Sequence, residues 1–265
     1  MNFKIIEDFA IATAKESGII LNKYFGKIIN FSGKTSDIDL VTIADLESEQ
    51  FIIRSIKNKF PDHDIATEES KNTSNSSKYR WVIDPLDGTT NFVHNIPIFA
   101  VSLAFQVDKQ TKVAAIYNPA AEKLFTARID NGAKLNGKRI NVTSTSTLSK
   151  SLLVTGFPYK HDYKYDMLFD IFKIFYDQTQ GVRRLGAAAL DLCFVAMGRF
   201  EGFYESGLKE WDIAAGSLIL TESGGQISDW DGSKHPSNGD RILASNGKIH
   251  PEMLKVLNGY YKKFI

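Results

Sequence analysis

The spacing of apolar residues predicts a different order of helices and strands in each half of the chain. Apolar positions recur at helical spacing from Phe3 to Tyr24 and from Leu46 to Phe60, which predicts two amphipathic helices. The second helix is expected to begin at Asp45 as its N-cap and to end before Pro61. From Ile98 to Arg128 the period changes to that of strands joined by short turns. The first half is therefore expected to combine helices with an antiparallel sheet.

Strand-like and helix-like segments alternate in the second half. Strands are expected at 152–155, 182–184, 202–205, 226–228 and 242–244, and helices at 165–175, 187–197, 213–223 and 251–257. Such alternation predicts helices layered on a sheet. The Ser/Thr-rich stretch between the two halves lacks an apolar period. We therefore predict an N-terminal α+β domain over 1–145 and a C-terminal α/β domain over 146–265.

The segment 81–92 carries the most specific chemical signal. The apolar run 81–83 predicts the end of a buried strand at Asp84-Pro85, followed by Asp87 and by Gly88-Thr89 at the start of a short helix or turn. Free backbone N–H groups at such a start attract an anion. An Asp-Gly turn alone explains neither the two acids nor the following hydroxyls. The segment indicates metal-assisted chemistry on a phosphate.

Two carboxylates this close require a counter-charge. At about 4 Å and an effective dielectric near 20, two like charges repel by roughly 4 kcal/mol. No Lys or Arg lies between Trp81 and Lys109 to offset them. A bound divalent cation would offset these two negative charges, and oxygen ligands favour magnesium over zinc.

Further ligands have to come from elsewhere in the chain. If the expected strand 64–67 lies beside the strand 81–83, Glu68 follows it next to Asp84. From spacing alone, a solvated acidic loop end is the favoured interpretation of Glu68. Asp212 precedes a helical run, so a pure capping role is the alternative for it.

Four segments in order give the chain its resemblance to a known family. They are Asp45 within 39–45, Glu68-Glu69, 84–92 and 211–216. Through them the chain resembles the inositol monophosphatase family of magnesium-dependent, lithium-sensitive sugar and nucleotide phosphatases. The resemblance implies a mixed α/β fold, the five-layer α-β-α-β-α sandwich of the inositol monophosphatase and fructose-1,6-bisphosphatase type, and a homodimer.

The resemblance also implies roles for individual residues. The ligands of two or three Mg²⁺ ions would be Glu68, Asp84, the Leu86 carbonyl, Asp87 and Asp212. The catalytic group would comprise Thr89, Asp45 and Glu68, which place and polarise the attacking water. The substrate would contact Asp87, Gly88, Thr89, Gly186, Ala187, Ala188, Glu205 and Asp212.

The spacing of the two acids separates this chemistry from that of another phosphatase class. In haloacid-dehalogenase-type enzymes the nucleophilic Asp stands two residues before a second Asp and becomes phosphorylated. Here the separation of Asp84 and Asp87 is three residues. We therefore expect direct attack by a metal-activated water.

The predicted function is Mg²⁺-dependent hydrolysis of inositol monophosphate. The alternatives within the same chemistry are NADP, a 3′-phosphoadenosine nucleotide or fructose 1,6-bisphosphate as substrate. An alternative of another class is a non-catalytic regulator that binds metal or sugar on the same fold.

Composition narrows the range of partners. Lys and Arg (32) nearly balance Asp and Glu (31), so charge gives no case for binding a nucleic acid polymer or a membrane. The single cysteine, Cys193, lies in an apolar run and is expected to be a buried thiol. With no expected leader and no apolar run long enough to span a bilayer, we predict a cytoplasmic protein.

Overall fold

The computed structural model describes residues 2–27, 31–33, 40–70, 75–158, 165–234 and 240–264. Within them the helices are α1 (Phe3–Tyr24), α2 (Ile43–Lys59), α3 (Thr89–Val93), α4 (Tyr165–Gln178), α5 (Ala188–Ala196), α6 (Glu210–Glu222) and α7 (His250–Phe264). The strands are β1 (Phe31–Gly33), β2 (Leu40–Thr42), β3 (Asp64–Thr67), β4 (Tyr79–Asp87), β5 (Ala100–Val107), β6 (Gln110–Asn118), β7 (Lys123–Arg128), β8 (Ala133–Leu135), β9 (Lys138–Arg139), β10 (Leu153–Thr155), β11 (Val182–Arg183), β12 (Gly202–Ser206), β13 (Gln226–Ser228) and β14 (Arg241–Ser245).

Two sheets organise the molecule. The first has the order β3-β4-β5-β6-β7-β8-β9 and is antiparallel except for the parallel pair β3 and β4. The second has the order β11-β10-β12-β14-β13, in which β10 runs parallel to both of its neighbours. Strands β1 and β2 form a separate antiparallel pair. The predicted antiparallel first half is thus confirmed.

Strand β4 shows how sequence alternation separates the layers. Successive side chains of a strand point to opposite faces. Trp81 and Ile83 pack in a core with α1 and α2, whereas Val82 packs on the other face in a core with α5 and α6. The first sheet is therefore covered by one pair of helices on each face.

The second sheet repeats this arrangement. Phe203 of β12 joins the core that includes α5 and α6, while the next residue, Tyr204, joins a third core with α4 and α7. The layers run α1 and α2, first sheet, α5 and α6, second sheet, α4 and α7. The predicted five-layer fold is confirmed, and Cys193 is buried in its middle layer.

The proposed division at residue 145 falls between the two sheets. Strand β9 ends at Arg139 and β10 begins at Leu153. However, one hydrophobic core contains residues of both sheets together with α5 and α6. The division into two domains stays a prediction.

Two helix starts differ from the prediction. Helix α2 begins at Ile43 with Thr42 as its N-cap, and α6 begins at Glu210. Asp45 and Asp212 each lie at the third helical position instead of the N-cap. An acid at that position accepts a hydrogen bond from the backbone N–H of the N-cap residue, which is as effective a start signal.

The strand before Asp84 also continues further than predicted. Strand β4 runs to Asp87, and its pairing with β5 changes register between Asp84 and Asp87. Pro85 lies within this irregularity, where its missing N–H removes no regular ladder bond. In the described part of the chain, no helix is both long and apolar enough to cross a membrane.

Replacing Phe105 with alanine tests the packing of the core in which Trp81 and Ile83 meet α1 and α2. Its ring is fully buried and lies 5.1 Å, centroid to centroid, from that of Trp81. We expect the substitution to lower the free energy of unfolding by about 3–5 kcal/mol, since it leaves a cavity. Urea denaturation measures this, with Ile19→Ala as the control because Ile19 is 55% exposed. An equal effect of both changes would contradict the layer assignment.

Candidate active site

The parallel pairing of β3 and β4 brings Glu68 and Asp84 to the same sheet edge. Thr67 pairs with Ile83, and each of these residues directly precedes one of the two acids. Glu68 is partly exposed, whereas Asp84 is 1% exposed. The structure therefore places Glu68 beside Asp84, the position expected if 64–67 forms a strand next to 81–83.

The irregular pairing at Pro85 turns both aspartates of the segment inward. Asp84 and Asp87 are 1% and 7% exposed. The backbone N–H of Leu86 donates to Asp84 Oδ1 over 3.0 Å. Because a regular strand alternates its faces, residues 84 and 87 could not both face one pocket without such a bulge.

Asp212 completes a group of four carboxylates. Burial raises the pKa of Asp84 well above its usual range, and the charges of Glu68, Asp87 and Asp212 raise it further. Burial and the charge of Asp212 likewise raise the pKa of Asp87. Acids from β4, the loop after β3 and α6 thus lie within electrostatic reach of one another.

Asp87 also links the two halves of the chain. The backbone N–H of Ala189 donates to Asp87 Oδ2 over 2.8 Å. Helix α5 has Ala187 at its N-cap, which offers no side-chain oxygen of its own. Asp87 therefore supplies the missing cap from the first half, where the helix dipole favours a negative charge.

Gly88 lies against the segment 186–188 that was expected to contact substrate. Its backbone is left-handed, with φ of +90°. A Cβ at this position would lie 2.8 Å from the Ile98 carbonyl oxygen and 3.2 Å from Ala187 Cβ. The side chain of Asn91 reinforces this contact by donating to the carbonyls of Ile98 and Leu185, each over 2.8 Å.

Thr89 and Asp45 form the expected pair. Thr89 Oγ1 lies 3.2 Å from Asp45 Oδ1 and 3.1 Å from the Leu86 carbonyl oxygen. The other oxygen of Asp45 accepts from the N–H and the hydroxyl of Thr42, over 2.8 and 2.5 Å. Asp45 is completely buried, so its orientation is fixed by these bonds.

Glu205, on β12, lies within electrostatic reach of the same group. Burial, followed by the charge of Asp212, raises the pKa of Glu205 to about 8, although Arg184 acts in the opposite direction. The sequence interpretation missed Asp191, a 1% exposed acid of α5. Burial and the charges of Glu205 and Asp87 raise the pKa of Asp191. The sequence feature that could have revealed Asp191 is its place as a lone acid within the apolar run 187–197.

The structure brings all of the predicted site residues into one region, but it does not show a finished metal site. Among the described residues, no group of three or more His, Cys, Asp or Glu side chains is arranged as a metal cluster. The donor chemistry nevertheless fits a hard cation, because all of the expected donors are oxygens and the charges of neighbouring acids add to the pKa that burial already raises at Asp84 and Asp87. The ligand roles stay a prediction.

Comparison with known proteins agrees with this geometry. The model of the inositol monophosphatase family matches residues 4–261. The chain is 41% identical over 251 residues to inositol-1-monophosphatase of Synechocystis, covering 94% of this chain and 88% of that protein. It is 39% identical over 250 residues to Nus factor SuhB of Escherichia coli, covering 93% of each.

Solved structures show the same fold. The inositol monophosphatase of Anabaena superposes with a TM-score of 0.87 at 38% identity, covering 98% of this chain and 97% of that one. An inositol monophosphate complex of SaIMPase-II, an enzyme of Staphylococcus aureus, has a TM-score of 0.81 at 27% identity, with coverage of 97% and 96%. The chain belongs to the inositol monophosphatase family and is a phosphoric monoester hydrolase.

Proposed function

We propose that the protein is a Mg²⁺-dependent phosphomonoesterase that hydrolyses a small phosphorylated polyol, with inositol monophosphate as the first candidate. The observation that carries the proposal is the group Glu68, Asp84, Asp87 and Asp212 beside the Gly88 turn. These four carboxylates, of which Asp84 and Asp87 are buried, attract divalent cations, and the turn offers N–H groups to a phosphate.

The residues that would hold two or three Mg²⁺ ions are Glu68, Asp84, Asp87, Asp212 and the Leu86 carbonyl. All of these donors are oxygens, the ligands that Mg²⁺ prefers. When bound, the ions supply Lewis acidity and lower the pKa of a coordinated water. The protein contributes the position of the donors, since Leu86 N–H fixes Asp84 and Ala189 N–H fixes Asp87.

Thr89 is proposed to orient the attacking water. Its hydroxyl has one proton, and Asp45 Oδ1 at 3.2 Å is a suitable acceptor for it. The hydroxyl oxygen can then accept a hydrogen bond from the attacking water, with Glu68 as the second group expected to hold that water. Asp45 is held by Thr42, so this acceptor is in place before substrate binds. The Leu86 carbonyl oxygen, at 3.1 Å, is a second acceptor for the same proton.

The second half is proposed to bind the polyol. The backbone N–H groups of Gly88 and Thr89 would hold the phosphate, with Asp87 and Asp212 beside it and Gly186, Ala187 and Ala188 against the ring. The Glu205 carboxylate can accept hydrogen bonds from the hydroxyls of the polyol. The complex of SaIMPase-II with inositol monophosphate supports this class of ligand.

Two alternatives have support of their own. SaIMPase-II has also been solved with 2′-AMP, so NADP or a phosphoadenosine nucleotide is the second candidate substrate, ahead of fructose 1,6-bisphosphate. Several relatives are named Nus factor SuhB, a name that does not describe an enzyme. A regulatory role on the same fold is therefore the candidate of another class.

Other properties implied by the family stay predictions. They are a homodimer and lithium sensitivity. The cytoplasmic location expected from the composition of the chain also stays a prediction.

A panel of phosphate esters with a Mg²⁺ titration tests the function. The panel comprises inositol 1-phosphate, 2′-AMP, NADP, 3′-phosphoadenosine 5′-phosphate and fructose 1,6-bisphosphate. We expect Mg²⁺-dependent phosphate release, with the highest kcat/KM on inositol 1-phosphate because the Glu205 carboxylate can accept hydrogen bonds from several hydroxyls. Release is measured with and without a chelator. No metal-dependent release from any ester would overturn the proposal.

Asp84→Asn tests the metal assignment, because asparagine keeps the acceptor for Leu86 N–H and removes the charge. We expect kcat to fall about 10³-fold or more, the equivalent of several kcal/mol of lost cation stabilisation. Without divalent cations, the variant should be more stable than wild type at pH 7. The raised pKa of Asp84 means that ionising it opposes folding, and this penalty disappears below pH ~4 as the unfolded chain also becomes protonated.

Thermal unfolding in a chelator at pH 7 and pH 3.5, together with phosphate release, measures both effects. The matched control is Asp166→Asn, which removes an exposed aspartate of α4. Full activity of Asp84→Asn would contradict the role of Asp84 as a metal ligand.

Thr89→Ala tests the proposed orientation of the water. We expect kcat to fall about 10²-fold with a smaller change in KM, since a water-orienting hydroxyl acts mainly in the transition state. Thr89→Ser keeps the hydroxyl and should retain most of kcat. Steady-state kinetics at saturating Mg²⁺ separates the two constants, and a change confined to KM would remove Thr89 from this role.

A further inference from the structure

Helix α2 presents three polar side chains on one face to three different segments of the site. Asp45, Ser48 and Glu49 stand at positions i, i+3 and i+4, which share a helix face. Asp45 accepts from Thr89, as described above. Ser48 Oγ donates to the Pro85 carbonyl over 2.9 Å, inside the irregular part of β4.

Glu49 makes the most extensive set of contacts on this face. Its side chain is buried, with 1% exposed. Oε1 accepts from the hydroxyl of Thr67 over 2.6 Å and from the backbone N–H groups of Glu69 and Ser70 over 3.1 and 3.0 Å. Oε2 accepts from the hydroxyl of Ser70.

These four bonds surround Glu68 without involving the oxygens of its own side chain. They fix Thr67 on one side of Glu68 and the residues 69–70 on the other. Thr67 is the last residue of β3, so the sheet no longer supports the chain beyond it. Beyond Thr67, the hydrogen bonds to Glu49 hold the chain in place of the sheet, next to Glu68, the proposed metal ligand.

We propose that Glu49 is a positioning residue that holds the Glu68 segment in place for divalent-metal binding. The inference rests on the proposed function, because it assigns Glu49 to the same metal site. Glu49 acts only through the backbone and hydroxyls next to Glu68. Removing its carboxylate leaves two backbone N–H groups without their acceptor, and the Glu68 carboxylate is then no longer held beside Asp84.

Calorimetric titration of Mg²⁺ and Mn²⁺ into the metal-free protein provides a test that needs no turnover. We expect Glu49→Ala to weaken metal binding by about 10–100-fold, the range typical of residues that orient ligands. The Mg²⁺ concentration for half-maximal phosphate release should rise by a similar factor. Glu49→Gln keeps one acceptor oxygen for the backbone and should lose less.

Two control variants separate positioning from general stability. Glu201 is also buried, and it holds the Leu152 N–H over 2.7 Å and the Thr145 hydroxyl at the far end of β12 from Glu205. Glu201→Ala should lower the thermal unfolding temperature and leave the metal dissociation constant unchanged. Glu47→Ala removes an acid of the same helix that pairs with Lys23 and Tyr24 of α1, and should also leave metal binding unchanged.

The outcomes are distinct. Wild-type protein that neither binds metal nor releases phosphate overturns the proposed function. Metal binding by wild type together with an unchanged dissociation constant in Glu49→Ala, or an equal loss in Glu201→Ala, overturns the positioning role alone. If Glu49→Ala does not fold, Thr67→Val and Ser70→Ala each remove one donor to Glu49, and unchanged metal binding in both would overturn it.

Discussion

The burial of several carboxylates within reach of one another is the constraint on which the site depends. Removing a charged group from water opposes folding, and each like-charged neighbour adds to that cost. Asp84 and Asp87 show both effects, since burial and neighbouring acids raise their pKa values. A fold that keeps such groups has to hold them by other contacts, because left to themselves they would turn towards solvent or bind protons.

The surrounding layers provide those contacts as backbone donors. Leu86 N–H donates to Asp84, and Ala189 N–H at the start of α5 donates to Asp87. Charge-assisted bonds of this kind are stronger than neutral ones, and a helix N-terminus adds a favourable dipole. They offset part of the repulsion, and the cation proposed above would offset the rest. The same bond that stabilises Asp87 joins the first half of the chain to the second.

Sequence patterns predicted the elements of this arrangement better than its contacts. Helix α1 and strand β13 have the predicted bounds, and placing strand 64–67 beside β4 correctly put Glu68 next to Asp84. Periodicity and turn residues act over short distances, so they are readable from the chain. The bulge at Pro85 was not predicted, because it depends on the register with β5. Glu49 was missed because its bonds to the segment after β3 depend on how α2 packs against the sheet. Asp191 was missed although a lone acid in an apolar run marked it.

The position of Asp212 shows how polar contacts complete what core packing begins. Hydrophobic packing places α6 between the sheets. Hydrogen bonds depend on direction, so they limit the rotation of the helix about its axis and its shift along that axis more than hydrophobic contacts do. Glu210, at the first residue of α6, accepts from Arg80 Nη1 of β4 and Gln106 Nε2 of β5 over 3.0 and 3.1 Å. Glu210 lies two residues before Asp212, and Arg80 lies on β4, the strand that carries Asp84. The two hydrogen bonds therefore fix the N-terminus of α6 against β4, and the acid from the second half is held in register with those of the first.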